Sequence, residues 1–148
     1  MSEGIRLYLM PLLVNLVLAL ITLSLRWLTL SGAVCALLIG FISFRYAGFG
    51  GWVILMLFFV TANILGKVSR SIIGSMVEGI QKKGGTRDWA QVLANGGLAG
   101  AAALYYGLGG GTLALVMYGS AVAACTADTW AGEAGILSKR PPLSIRTF

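Results

Sequence analysis

WAQVLANGGLAGAAALYYGLGGGTLALVMYGSAVAACTA, residues 89–127, runs 39 positions from Asp88 to Asp128 without one charged side chain. As a single α-helix at 1.5 Å per residue it would be about 58 Å long, roughly twice the ~30 Å hydrocarbon core of a bilayer. The run must therefore fold back on itself, and Gly107-Leu108-Gly109-Gly110-Gly111 is the breaker. Two membrane spans result, near 89–106 and 112–127.

The rest of the chain repeats the pattern. Charge-free intervals of 19, 18 and 21 residues separate Arg6, Arg26, Arg45 and Lys67, and with the central run they cover 97 of 148 positions. They predict three further spans near 7–25, 28–44 and 50–66, the first with Pro11 in its early turns, where proline costs least. Only 11% of residues are charged, 57% are hydrophobic, and the mean hydropathy is +0.86. A soluble domain carries about a quarter charged residues. These figures exclude a soluble enzyme, a disordered chain and a secreted disulfide scaffold. The sequence predicts an all-α integral membrane protein, one transmembrane domain over 1–148 built as a bundle of about five helices.

Charge sets the expected orientation. One side of the membrane receives Arg6 and Arg45; the other receives Arg26, Lys67, Arg70, Lys82, Lys83, Arg87, Lys139, Arg140 and Arg146. The positive-inside rule makes the second side cytoplasmic, with the amino terminus outside and the carboxyl terminus inside. The loop 67–88 and a tail 128–148 would then share the nucleotide-containing compartment. Within that loop Val68, Ile72, Ile73, Met76, Val77 and Ile80 form one helical stripe, which predicts an amphipathic cytoplasmic helix between the third and fourth spans; a simple extension of the third span is the alternative. The formal net charge of +6 is distributed for lipid and topology, not for nucleic acid. Small residues recur at every fourth position in Gly32, Ala36, Gly40, in Gly96, Gly100, and in Gly119, Ala123, Ala127, the pattern that lets helices approach closely in lipid.

Chemistry has few candidates. There is no histidine, so imidazole bases and His-ligated zinc are excluded, and Cys35 and Cys125 each lie inside an apolar run as small buried side chains. Asp128 closes the fifth span at the cytoplasmic boundary, and Glu133 follows five residues later. Two carboxylates beside phosphate-binding cations are a way to hold Mg2+, although on a continuous helix these two would point about 140° apart, so sharing an ion requires a break at Gly132. Two ordinary surface acids at a helix end are the other reading. Arg87, Gln91 and Asn95, spaced four apart, form a polar stripe entering the fourth span. The stripe either cements helices or lines a pocket that receives phosphate, and Lys82 and Lys83 serve either anion capture or attachment to anionic lipid. Asn15 and Asn63 are expected to hydrogen-bond between helices.

Two blocks resemble a known family. Lys83-Gly84-Gly85-Thr86-Arg87-Asp88-Trp89-Ala90-Gln91-Val92-Leu93-Ala94-Asn95-Gly96-Gly97 is similar to the signature K-x-G-x-R-x-x-x-Q-V-x-A-N-G-G of the integral membrane family that includes plant phytyl phosphate kinases and transmembrane-protein-19-like proteins. Ala127-Asp128-Thr129-Trp130-Ala131-Gly132-Glu133-Ala134-Gly135 with Leu137-Ser138-Lys139 resembles its A-D-T-W-A-S-E-x-G … L-S-K block, with Gly132 in place of the usual serine. Likeness to polyprenol and dolichol kinases is fainter. The resemblance implies phosphoryl transfer from a nucleotide, CTP, to an isoprenoid monophosphate such as phytyl phosphate. It implies Mg2+ on Asp128 and Glu133, phosphates on Arg87, Lys83 and Lys139, and orientation by Gln91 and Asn95. It also implies a further carboxyl-terminal part that this sequence lacks, so an inactive fragment is one alternative; a channel or carrier and a structural helix bundle are others. The expected partners are the bilayer, the isoprenoid phosphate and a second copy of the chain.

Overall fold

A computed structural model describes residues 3–73, 85–136 and 138. Among the described residues five helices follow in chain order: α1 (Glu3–Ser24), α2 (Leu30–Tyr46), α3 (Gly48–Ile73), α4 (Trp89–Gly107) and α5 (Gly111–Ile136). The described residues contain no strand, only an isolated parallel bridge between Leu28 and Arg87. The all-α membrane architecture read from the sequence is the one found.

Successive helices alternate in direction, and side-chain contacts place their ends. Tyr8, Arg45 and Tyr46 meet at one end, where Tyr118 also donates to the Gly51 carbonyl at 2.9 Å. Trp27, Phe59, Lys67 and Arg87 gather toward the other, where Trp130 reaches Thr61 and Ser69 reaches the Glu133 carbonyl. Arg26, Lys67, Arg87, Asp128 and Glu133 thus collect at a single end of the bundle, as the charge count requires.

By length and composition α1, α3 and α5 can each cross a membrane over Ile5–Ser24, Gly48–Ser69 and Gly111–Gly135. α2 has only 17 residues, about 26 Å at 1.5 Å per residue. α4 is long enough, but its glycines and two amides lower its hydropathy. These two helices least suited to lipid pack most intimately on one another. Ile39 of α2 lies over Gly96 and Gly100 of α4, where a β-carbon would sit 3.4 and 3.5 Å from it. α2 also packs on α1 and α3, and α5 covers α3 and α4. The core is correspondingly small-grained: Ala62, Ala99, Ala102 and Ala103 are buried between Ile39, Leu55, Phe58, Tyr118 and Val122. Cys35 and Cys125 are free thiols packed against it. The third small-residue stripe behaves differently: Gly119, Ala123 and Ala127 face outward.

Several boundaries differ from expectation. α3 continues unbroken to Ile73, so residues 67–73 extend the third span and start no separate amphipathic helix; 74–81 lie outside the described residues. α5 runs on to Ile136, which puts Asp128 and Glu133 within a helix and not in a tail. Pro11 lies well inside α1, which begins at Glu3, and its carbonyl accepts from the Asn15 amide at 2.8 Å. In each case the helix extends beyond the charge that marked its expected end, because leaving hydrocarbon does not terminate a helix when the backbone can keep its own hydrogen bonds.

The α1–α2 connection is closed by a specific cap. Trp27 N–H bonds Thr22 O and Arg26 N–H bonds Leu23 O, the paired bonds of a Schellman turn, with Arg26 in the left-handed region at φ 53° where glycine is usual. A side chain there costs about 1 kcal/mol. Arg26→Gly is therefore expected to raise stability by up to about 1 kcal/mol, read as a higher melting temperature in detergent.

Candidate functional site

The site is built from two loops and the helices they start. Thr29 caps α2 by accepting from Gly32 N–H at 3.2 Å. Asp88 and Gln91 form a capping box at the start of α4: each accepts the other's backbone N–H at 3.1 Å. The two caps are tied together, because Arg87 N–H donates to Trp27 O at 3.0 Å and Thr29 N–H donates to Arg87 O at 2.9 Å. Gly32 makes the tie possible: a β-carbon there would lie 2.5 Å from the Arg87 carbonyl oxygen. This clasp fixes where the Arg87 side chain can go.

It goes into the bundle. Arg87 Nη2 donates to the Ala62 carbonyl of α3 at 3.2 Å, and Arg87, Gln91 and Asn95 line a cavity of about 70 Å³ between α1, α2, α3 and α4. The remaining walls are Leu28, Ile39, Leu55, Phe58 and Phe59, with Asn15 and Thr22 from α1. Those two α1 groups are occupied: Asn15 accepts from Trp52 Nε1 at 3.1 Å, and the Thr22 hydroxyl donates to Ala19 O at 2.8 Å. Asn63 bonds back to Phe59 O on its own helix and not between helices as expected. Capping consumes Gln91 Oε1 and leaves its Nε2. Asn95 has no hydrogen-bond partner among the described residues, so its amide is the polar group of the cavity with no structural duty.

Trp27 was not singled out in the sequence. Its ring tilts against Phe59 at 6.0 Å, Lys67 Nζ stands 5.4 Å from its centroid, and its Nε1 is enclosed without an acceptor among the described residues. A buried unsatisfied donor beside the Lys67 ammonium is a place where an anionic oxygen would be welcome. Only the preceding Arg26 marks the position in sequence, and nothing there announces a role.

The carboxylates stand apart. Asp128 is exposed on α5, at the Arg87 end of the bundle but outside the Arg87 cavity. Glu133 is half-buried beside Ser69, whose hydroxyl donates to the Glu133 carbonyl at 3.2 Å, and its Oε2 is enclosed without a partner among the described residues. α5 does not break at Gly132, so the two side chains diverge by about 140° and do not converge on one ion. No cluster of three or more metal-capable side chains occurs among the described residues. Lys82, Lys83 and Lys139 lie outside them.

No solved structure matches the chain. Protein PGR of Arabidopsis thaliana is 33% identical over 135 residues, covering 82% of this chain and 46% of that protein. An uncharacterized membrane protein of Methanocaldococcus jannaschii is 33% identical over 154 residues, covering all of this chain and 60% of its own length. The chain thus spans about half the length of the curated relatives it matches. Residues 13–148 match the family model described as integral membrane protein DUF92, and the chain belongs to that family.

Proposed function

We propose that this chain supplies the lipid-phosphate-binding part of a membrane-embedded kinase that converts an isoprenoid monophosphate to the diphosphate at the expense of a nucleotide such as CTP. The observation that carries the reading is the cavity: a guanidinium and two amides on one wall, and mainly apolar and aromatic side chains, with the hydrogen-bonded Asn15 and Thr22, on the others, reaching the end of the bundle where the cations collect. A polar head on a hydrocarbon tail has the same division. At about 30 Å³ per water the cavity as it stands has room for about two waters, so a prenyl chain must part the helices. α1 packs extensively only on α2, which makes the α1–α3 seam, beside Phe59 and Leu18, the route of access from the bilayer.

In this reading Arg87 holds the acceptor phosphate through its guanidinium charge, and Asn95 and Gln91 Nε2 fix its orientation. The Trp27 indole Nε1–H and Lys67, which lie at the same end of the bundle but line no part of the cavity, are the donors left for further phosphate oxygens. Magnesium takes one or two carboxylates and completes its shell with water and phosphate. The exposed Asp128 suits it as a single ligand, whereas Asp128 and Glu133 on one unbroken helix do not suit it as a pair. Bound there, the ion would neutralise phosphoryl charge, the main help that phosphoryl transfer needs beyond positioning. Lys83 and Lys139 are assigned to phosphate on the family resemblance alone.

The structural alternative has its own support, since Arg87 bonds Ala62 and Gln91 caps α4. Asn95 separates the two readings. Asn95→Leu is expected to leave the melting temperature unchanged or raised, and to abolish the thermal shift that a prenyl monophosphate gives the wild type. A shift that survives the substitution would favour amides that merely cement helices. The direct test is incubation of the purified full-length protein with labelled nucleotides, magnesium and a panel of prenyl monophosphates. Diphosphate should form in the wild type and be lost in Asp128→Asn with insertion intact; full activity in that variant would remove Asp128 from the mechanism.

A further inference from the structure

The end of the bundle opposite Arg87 carries a second cation in an unusual setting. Arg45, half-buried in the last turn of α2, places its guanidinium carbon 4.8 Å from the ring centroid of Tyr8 and 5.0 Å from that of Tyr46. Its Nη2 reaches the Tyr8 hydroxyl only at 3.4 Å, and its Nε is enclosed with no acceptor among the described residues. Tyr8 also lines a broad groove of about 570 Å³ between α1 and α2, with Ile5 one turn nearer the amino terminus. Leu9 and Leu12 form one side of the groove, and Leu37, Leu38 and Phe41 the other.

We propose that this groove holds one anionic phospholipid, its phosphate on Arg45 and one acyl chain along the leucines. Leu37 to Arg45 spans about 12 Å of helix, close to the ~15 Å of hydrocarbon that a single leaflet provides. The charge lies at one end and everything deeper is apolar, the same order as in a lipid. The two tyrosine rings hold the guanidinium in place, and its planar set of donors suits the two-point bond that Arg makes with phosphate. A helix from another protein would fill the leucine wall equally well, but an apolar helix face would leave the Arg45 guanidinium without an acid. An anionic headgroup brings the acid at that depth.

The test uses the full chain purified in mild detergent and offered equal amounts of phosphatidylglycerol and phosphatidylcholine with identical acyl chains. Retained lipid is counted by native mass spectrometry. Because the Arg87 end is also cationic, the preference belonging to the groove is the part that Arg45→Gln removes. That substitution is expected to lower the phosphatidylglycerol-to-phosphatidylcholine ratio about tenfold, the worth of a charge-assisted bond, and Arg45→Lys to keep part of it. Leu38→Trp, at an outward-facing position, should fill the groove and reduce retention of both lipids without lowering the melting temperature. Glycerol 3-phosphate, which has the headgroup chemistry and no chain, should not displace the lipid. An unchanged ratio in Arg45→Gln would overturn the proposal, as would displacement by glycerol 3-phosphate. So would a lipid-free dimer that Leu38→Trp dissociates, which would give the groove to a second copy. If Arg45→Gln fails to fold, Leu38→Trp decides alone: wild-type retention in that variant refutes the site.

Discussion

Arg87→Gln should weaken binding of a prenyl monophosphate by between about tenfold and a hundredfold, as read from the ligand-induced thermal shift or by titration calorimetry in detergent. The range follows from removing charge-assisted hydrogen bonds worth about 1.5–3 kcal/mol in a water-poor cavity. The substitution leaves the backbone clasp in place, because the bonds to Trp27 and Thr29 come from the Arg87 main chain. It does delete the bond to Ala62, so stability should fall too, by about 1 kcal/mol. Arg87→Lys sorts the two effects. An ammonium keeps the charge but cannot both serve the Ala62 carbonyl and present a planar pair of donors to phosphate. It should therefore recover part of the affinity and little of the stability. If both substitutions leave phosphate-lipid binding at the wild-type level while lowering the melting temperature, Arg87 is a helix fastener and the cavity is not a phosphate site.

The residues that make this test possible were only partly visible in the sequence. The fold-back at Gly107–Gly111 follows from bilayer thickness and the glycine run, and the four-residue spacing of Arg87, Gln91 and Asn95 matches their place on the wall of one cavity. Periodicity within one helix is enough for that. What the spacing could not reveal was the division of labour. Gln91 is half spent on a capping box, whose Asp-x-x-Gln signal coincides in the sequence with the polar stripe. The Leu28–Arg87 pairing joins loops 59 residues apart, and no local pattern announces it. Trp27 enters the site only through that pairing. The carboxylates erred in the other direction. Charge at Asp128 was read as the end of a span, but a helix emerging from lipid has no reason to stop there, and its persistence through Gly132 separates Asp128 from Glu133. The three small-residue stripes look alike as sequence; two are packed at the α1–α2–α4 contacts and the third faces outward, a distinction set by tertiary neighbours alone.

Gly32→Ala and Gly119→Ala make the same chemical change in two of those stripes, and should differ by several kcal/mol. At Gly119 a β-carbon meets nothing within 4 Å. Alanine there should be neutral or stabilising by up to about 1 kcal/mol, since it removes a helix-weakening glycine. At Gly32 the β-carbon would stand 2.5 Å from the Arg87 carbonyl oxygen and 3.3 Å from the Asp88 carbonyl carbon. Both are backbone atoms held by the Asp88–Gln91 cap, so neither can swing aside as a side chain would. The start of α2 and the 85–88 segment must separate, which strains the packing and breaks the Trp27–Arg87–Thr29 bonds. Overpacking costs about 1–3 kcal/mol and each of the two lost hydrogen bonds about 0.5–1.5, for a total of roughly 2–6 kcal/mol. The consequence reaches the site, because the clasp that opens is the one aiming Arg87 into the cavity. Gly32→Ala should therefore lose the prenyl-phosphate thermal shift as well as stability, although Gly32 lines no part of the cavity. Melting curves with and without ligand give both quantities at once. Equal melting temperatures for the two alanine variants would mean that the clasp contributes nothing to holding α2 and α4 together.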